Sequence, residues 1–297
     1  MKKILSALFA VLIIASLLIL SGVNGCQQKQ GTAVSTTGLE ISFVKDAPPV
    51  SISVNQEFPI YIDVLNKGAE FINKGGAKFY LNGLQNFDNI NPSQSNTKML
   101  TKESVYADRI VFADKAKYNF PLQAMSSIPF ALTACYDYSG KAQGVLCISK
   151  SNESKICQTS GEKLTSSTAG PIQVTSITES ISGNKLTAVF NIANKDDGQV
   201  FLLNMDCDRF EAKDFAESLK QGKLNVKLTT KEDFKCKLIS TEAPYGQIEG
   251  LNGAIPLGSV VCEKMLTNED YASPLVIEMK YKYRDSIGKS ITIFPTQ

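Results

Sequence analysis

The sequence predicts a mainly β protein: two tandem antiparallel β-sandwiches, one short helix in the second, and an N-terminal signal or anchor helix. Three observations predict it. Apolar and polar residues alternate with period two through many short runs rich in β-branched and aromatic residues. The runs of the first half recur in the second. Six cysteines follow an export-type N-terminus, an even number that suits disulfides.

The elements follow in order. Residues 1–25 form a signal peptide or membrane anchor, in which Lys2 and Lys3 precede an unbroken apolar run from Ile4 to Leu20. As a helix that run would span ~25 Å, slightly less than a bilayer core. Val23-Asn24-Gly25-Cys26 resembles a lipoprotein lipobox, which implies a lipid on Cys26, although Asn24 departs from the usual small residue. Residues 26–37 are a polar tether that cannot bury enough surface to order itself.

The first sandwich is expected over 38–149, a Ser/Thr/Lys-rich linker over 150–169 and the second sandwich over 170–297. Each half opens after a glycine, at Gly38-Leu39 and Gly170-Pro171. Each continues with an alternating strand closing on Asn-Lys, at Asn66-Lys67 and Asn194-Lys195. Each also carries Pro-x6-Tyr-x-Tyr, at Pro129…Tyr136-Asp137-Tyr138 and Pro274…Tyr281-Lys282-Tyr283. A turn after each Tyr pair, at Ser139-Gly140-Lys141 and Asp285 to Lys289, predicts a hairpin. About seven such strands per half fit a sandwich of immunoglobulin-like kind. Asp208-Arg-Phe-Glu211 reads as a capping box, and Phe210, Phe215 and Leu219 share one helical face, so a helix is expected over Arg209 to Gln221.

Among the cysteines, Cys236 and Cys262 both sit in short strand-like runs, Phe234 to Ile239 and Ser259 to Glu263, and are the preferred pair. Cys147 has two candidate partners, Cys135 across the expected hairpin and Cys157 in a small loop. With three cysteines in each half, full pairing requires one bridge between halves, and Cys157 with Cys207 is expected to form it. No Cys-x-x-Cys occurs and the chain has no His, so neither a metal nor a cofactor is expected.

The missing His also removes the base of Ser/His and Cys/His catalysis. Neither a Gly-rich phosphate loop nor a Gly-x-Ser-x-Gly elbow occurs. The 31 basic residues include only 3 Arg and face 29 acidic ones, so nothing advertises nucleic acid. The Tyr pairs Tyr136/Tyr138 and Tyr281/Tyr283 are candidates for surface contact, with packing against the sheet as the simpler explanation. Asn194-Lys-Asp196-Asp197-Gly198 has oxygen ligands but lacks the spacing of a calcium loop. The polar run Gln85 to Thr101 is a loop that is either functional or mobile, and Asn152 heads a glycosylation sequon.

The paired sandwiches, with their Asn-Lys turns and Pro-x6-Tyr-x-Tyr segments behind a membrane anchor, resemble archaeal cell-surface proteins with immunoglobulin-like domains of the CARDB type, over Gly38 to Phe294. That resemblance implies adhesion or envelope organisation and carries over no catalytic residue. The expected function is therefore a non-catalytic surface module, anchored to the outer face of the cytoplasmic membrane, with envelope proteins or glycans as partners. A solute-binding lipoprotein of a transporter is the alternative, although the α/β lobe pattern is missing. A hydrolase working with carboxylates alone is the third reading.

Overall fold

Alternation sorts this chain into layers. A computed structural model describes residues 35–102, 104, 106–151, 154–239, 248–249 and 251–296. The candidate lipid site Cys26 and the sequon residue Asn152 lie outside them. In chain order the strands are β1 (Leu39–Phe43), β2 (Ser51–Ser53), β3 (Glu57–Asn66), β4 (Ala77–Asn82), β5 (Phe87–Asp88), β6 (Ser93–Ser95), β7 (Asp108–Tyr118), β8 (Ser126–Ile148), β9 (Gly161–Glu162) and β10 (Leu164–Ser167). The second half adds β11 (Ile172–Ser182), β12 (Lys185–Asn194), β13 (Gln199–Phe201), β14 (Lys223–Thr230), β15 (Lys235–Ile239), β16 (Ile248–Glu249), β17 (Asn252–Pro256), β18 (Gly258–Met265) and β19 (Tyr271–Phe294). The protein is mainly β, as the alternation predicts.

A four-stranded sheet, β1-β3-β7-β5, belongs to the first half, and a six-stranded sheet, β16-β15-β18-β12-β11-β9, draws on the second half and residues 161–162. Facing both is a nine-stranded sheet along β17-β14-β19-β8-β4-β6, with β10, β13 and β2 attached. In β3, Phe58, Ile60, Ile62 and Val64 are buried; in β12, Leu186, Ala188, Phe190 and Ile192 do the same in the other half. These faces pack with Leu132, Ala134, Tyr136 and Tyr138 of β8 and Ile277, Met279, Tyr281 and Tyr283 of β19 in one continuous core.

The shared sheet corrects one sequence expectation. Neither Tyr pair is followed by a hairpin: β8 and β19 each run straight through the expected turn, and they pair with each other, antiparallel, from Ser126↔Ile293 to Ile148↔Tyr271. Alternation continues through Gly140, Ala142 and Leu146, which stay buried on the core face. A side chain at Gly140 would meet the Met279 methyl at 3.1 Å, so this glycine serves close packing rather than a turn.

Register makes the repeat literal. Tyr138 faces Tyr281 and Tyr136 faces Tyr283, so the duplicated segments are related by a local two-fold axis through the ion-paired Asp137 and Lys282. The Asn turns are superimposable in their bonding. Asn66 donates to the Glu70 carbonyl at 2.6 Å and accepts from the Gly68 amide; Asn194 donates to the Gly198 carbonyl at 2.7 Å and accepts from the Asp196 amide. The backbone requirement of the turn therefore accounts for Asn194, the residue also weighed as a calcium ligand.

The helix expected over Arg209 to Gln221 is instead two short helical pieces, Cys207–Glu211 and Phe215–Ser218. The break falls at Lys213, whose φ of 63° is left-handed. Asp206, not Asp208, caps the first piece, accepting from the Asp208 and Arg209 amides. Phe215 and Leu219 consequently point to solvent, and of the three aromatic or aliphatic residues expected on one face only Phe210 packs inward. Gln85 to Thr101 is not loose either: Asp108 accepts from the Thr97 amide and hydroxyl at 2.7 and 2.6 Å, and Asn96 accepts from the Ala77 amide at 2.9 Å.

Candidate functional site

The four tyrosines named as candidates for surface contact are core residues, between 0 and 3% exposed. Their rings form a closed set about the local axis with centroids 5.9 to 6.3 Å apart. Even-numbered positions of β8 and odd-numbered positions of β19 face the core, which decides their fate. Each buried hydroxyl then needs a partner. Tyr136 accepts from the Leu39 amide at 3.1 Å and Tyr281 from the Ile172 amide at 3.3 Å, at equivalent places in the repeat. Tyr138 accepts from the Glu70 amide, and Tyr283 donates to Asn194 Oδ1. Burial pushes all four phenols up.

All six cysteines pair: Cys135 with Cys207, Cys147 with Cys157, and Cys236 with Cys262. The last two pairs were among those expected. A bridge between halves is also present, but Cys207 takes Cys135 rather than Cys157, because Cys135 stands on the outer face of the shared sheet where residues 202–221 cross it. Three disulfides place the folded chain in an oxidising compartment.

That crossing segment is the most heavily bonded feature of the outer face. Asp208 accepts from the Tyr80 hydroxyl at 2.6 Å and pairs with Lys78, both on β4. The Lys78 and Tyr80 hydrogen bonds hold its carboxyl below the usual range. Glu211 takes Arg284 at 2.8 Å and accepts from Asn82 Nδ2 at 3.1 Å. Phe210 stacks edge-on to Phe201 at 4.9 Å, with the Arg284 guanidinium 5.1 Å above its ring. Residues of the second half thus grip β4 and β8 of the first.

Beside the grip the outer face is open and polar. Asp137, Lys141 and Gln143 of β8 and Lys280 of β19 project from it, and Lys141 pairs with Glu278 at 3.3 Å. A 300 Å³ groove lies here, lined by Glu70, Phe71, Asn73, Asp137, Ser139, Leu203 and Lys280 with the edge of Tyr138. Phe71 is 55% exposed, so its ring is available at the groove. Nothing in its sequence neighbourhood singled out Phe71 or Lys280; only the fold brings them together. A second groove of 490 Å³ lies on the six-stranded sheet among Lys185, Lys235, Lys237, Lys264, Asp233, Glu263 and Met265.

Two further carboxylates are buried: Glu232, whose partner Lys264 lines the second groove, and Glu179. Glu232 accepts from the Ser273 and Tyr271 hydroxyls at 2.8 and 3.1 Å and pairs with Lys264 at 3.1 Å. Burial raises its pKa, but those three donors outweigh burial and the net shift is downward. A depressed carboxylate contributes stability above its unfolded pKa and loses it as pH falls through the folded value. Glu232→Gln is therefore expected to flatten the acid limb of a stability-versus-pH curve measured by urea unfolding. Glu179 is shifted the other way, because burial outweighs the Cys147 amide and Lys163, 3.7 Å distant. Its contribution improves as pH falls through the folded value, and Glu179→Gln removes that gain.

Among the described residues no cluster of His, Cys, Asp or Glu is disposed to hold a metal, and no helix is long and apolar enough to cross a membrane. Fold and site together define a mainly β, disulfide-braced sandwich protein. No family model and no characterised protein sequence matches the chain. Among solved structures it is similar to the partial N-terminal region of enterococcal surface protein, at 8% identity over 92% of this chain and 97% of that one, with a TM-score of 0.20.

Proposed function

We propose that this is a non-catalytic, membrane-anchored cell-surface protein in which two immunoglobulin-like sandwiches act as one rigid module and present the polar outer face of their shared sheet to envelope partners. The observation that carries the reading is the unbroken β8–β19 pairing, braced by Cys135–Cys207. A solute-binding protein that closes on its ligand needs parts that move relative to one another. A sheet common to both halves instead keeps them at a fixed angle, as a spacer or binding platform requires. The CARDB-type resemblance, the apolar Ile4 to Leu20 and the lipobox-like Val23 to Cys26 support the surface location.

Two measurements test it. Intact mass of the mature protein is expected to show a chain beginning at acylated Cys26; an unmodified Gln27 terminus overturns the lipid anchor, and a retained Met1 replaces it with an uncleaved helix. A photo-crosslinking residue at Gln143, on the exposed face, is expected to capture envelope proteins or glycans on intact cells. Capture of transporter subunits would overturn the reading in favour of solute delivery.

A further inference from the structure

We infer that the groove around Phe71 is a binding site for an uncharged saccharide. The inference rests on the reading of the chain as a surface binding module and names the chemistry of its ligand.

The repeat supplies the first argument. In the second half, β13 pairs with Lys282–Arg284 and closes that side of β19, while Phe210 and Glu211 cover Arg284 from above. The counterparts of Lys282–Arg284 in the first half are Asp137–Ser139, and those of β13 are Phe71–Asn73. Here, among the described residues, no strand pairs with Asp137–Ser139 on that side; Ile72 bridges to Leu100 instead. Ser139 is half-buried and bonded to the Glu70 carboxylate, and the position that β13 pairs with in one half lines a groove in the other.

The second argument is what fits. An added peptide strand would need the β8 edge free. Glu70 occupies it, its amide donating to the Tyr138 hydroxyl at 3.2 Å and its carboxylate accepting from the Ser139 hydroxyl. A compact ligand lying on the face is not obstructed, and 300 Å³ is the lower end of ligand-pocket volumes. An exposed aromatic ring offers an apolar plane for the CH face of a pyranose. Asn73, Asp137 and Lys280 around it supply both donors and acceptors for hydroxyl groups. Charge decides the class: of the charged lining residues Glu70, Asp137 and Lys280, Asp137 is neutralised by its ion pair with Lys282 beside the groove, and Glu70 and Lys280 balance each other, so no surplus charge is left to attract an ionic ligand.

The test is calorimetric titration of the full chain, in a zwitterionic detergent free of sugar, with oligosaccharides of glucose, galactose, mannose and N-acetylglucosamine, and with polygalacturonate as an acidic arm. At least one neutral oligosaccharide is expected to bind with little salt dependence. Phe71→Ala is expected to weaken it at least about tenfold, Phe71→Tyr to retain it, and neither to shift the melting temperature, since the ring is half exposed. The inference is overturned if Phe71→Ala binds as well as the parent, if only polygalacturonate binds and salt abolishes it, or if no saccharide binds. In that last case, continued crosslinking of envelope components from Gln143 would leave the proposed function standing and remove this site alone.

Discussion

Gly68→Ala is expected to destabilise the protein by about 3 kcal/mol, lowering the melting temperature by roughly 6 to 12 °C. The methyl group would lie 1.6 Å from the Tyr138 hydroxyl and 2.7 Å from its ring. The ring cannot retreat, because Tyr136 and Tyr281 pack against it at 6.0 and 5.9 Å. Turning it would also strip the hydroxyl of the Glu70 amide and the Ala169 carbonyl. The matched control is Gly288→Ala in β19, where an added methyl meets nothing nearer than a carbonyl at 4.0 Å and the change should stay within about 0.5 kcal/mol. Equal melting temperatures for the two variants in differential scanning calorimetry would refute the account of the tyrosine cluster.

Removal of the Cys135–Cys207 bridge is expected to have the other large effect. It closes a loop of 72 residues, and the chain-entropy estimate for such a loop is about 4 kcal/mol. Cys147–Cys157 closes only 10 residues, for which the same estimate is about 3 kcal/mol. In urea unfolding, the Cys135→Ala/Cys207→Ala double variant should therefore lose more than Cys147→Ala/Cys157→Ala. Its pattern of cleavage should also change. With Cys207 released, the segment over β4 keeps the polar contacts of Asp208 and Glu211 and the packing of Met205 and Phe210, and limited proteolysis should cut first near Lys213. First cuts elsewhere would mean that the polar grip is sufficient without the disulfide.

The sequence carried the strands well because alternation is a local property. Ile60, Ile62 and Val64 announce a half-buried strand without reference to anything distant, and the Asn66 and Asn194 turns are written in five residues each. The repeat was legible for the same reason. What was not legible is where β8 and β19 find their partners. Ser139-Gly140-Lys141 has the composition of a turn, and only the opposing Met279 shows that the glycine is there for closeness. The fate of the tyrosines follows from that pairing, since a hairpin would have left their faces undetermined. Likewise the partner of Cys207 depends on which strand the segment 202–221 crosses, and the groove at Phe71 joins residues from four stretches of chain that no spacing connects.

A sheet in which a strand lies against its own repeat, about a two-fold axis, is the arrangement of a symmetric homodimer. The chain is thus a dimer written into one polypeptide, with each half serving as the other's subunit. Its axis also carries a rule of partner choice. Asp137 meets Lys282 there, whereas two first halves would set Asp137 against Asp137 and two second halves Lys282 against Lys282. Like halves are repelled where unlike halves attract, so association of two first halves or of two second halves is disfavoured, and each half is directed to its unlike partner.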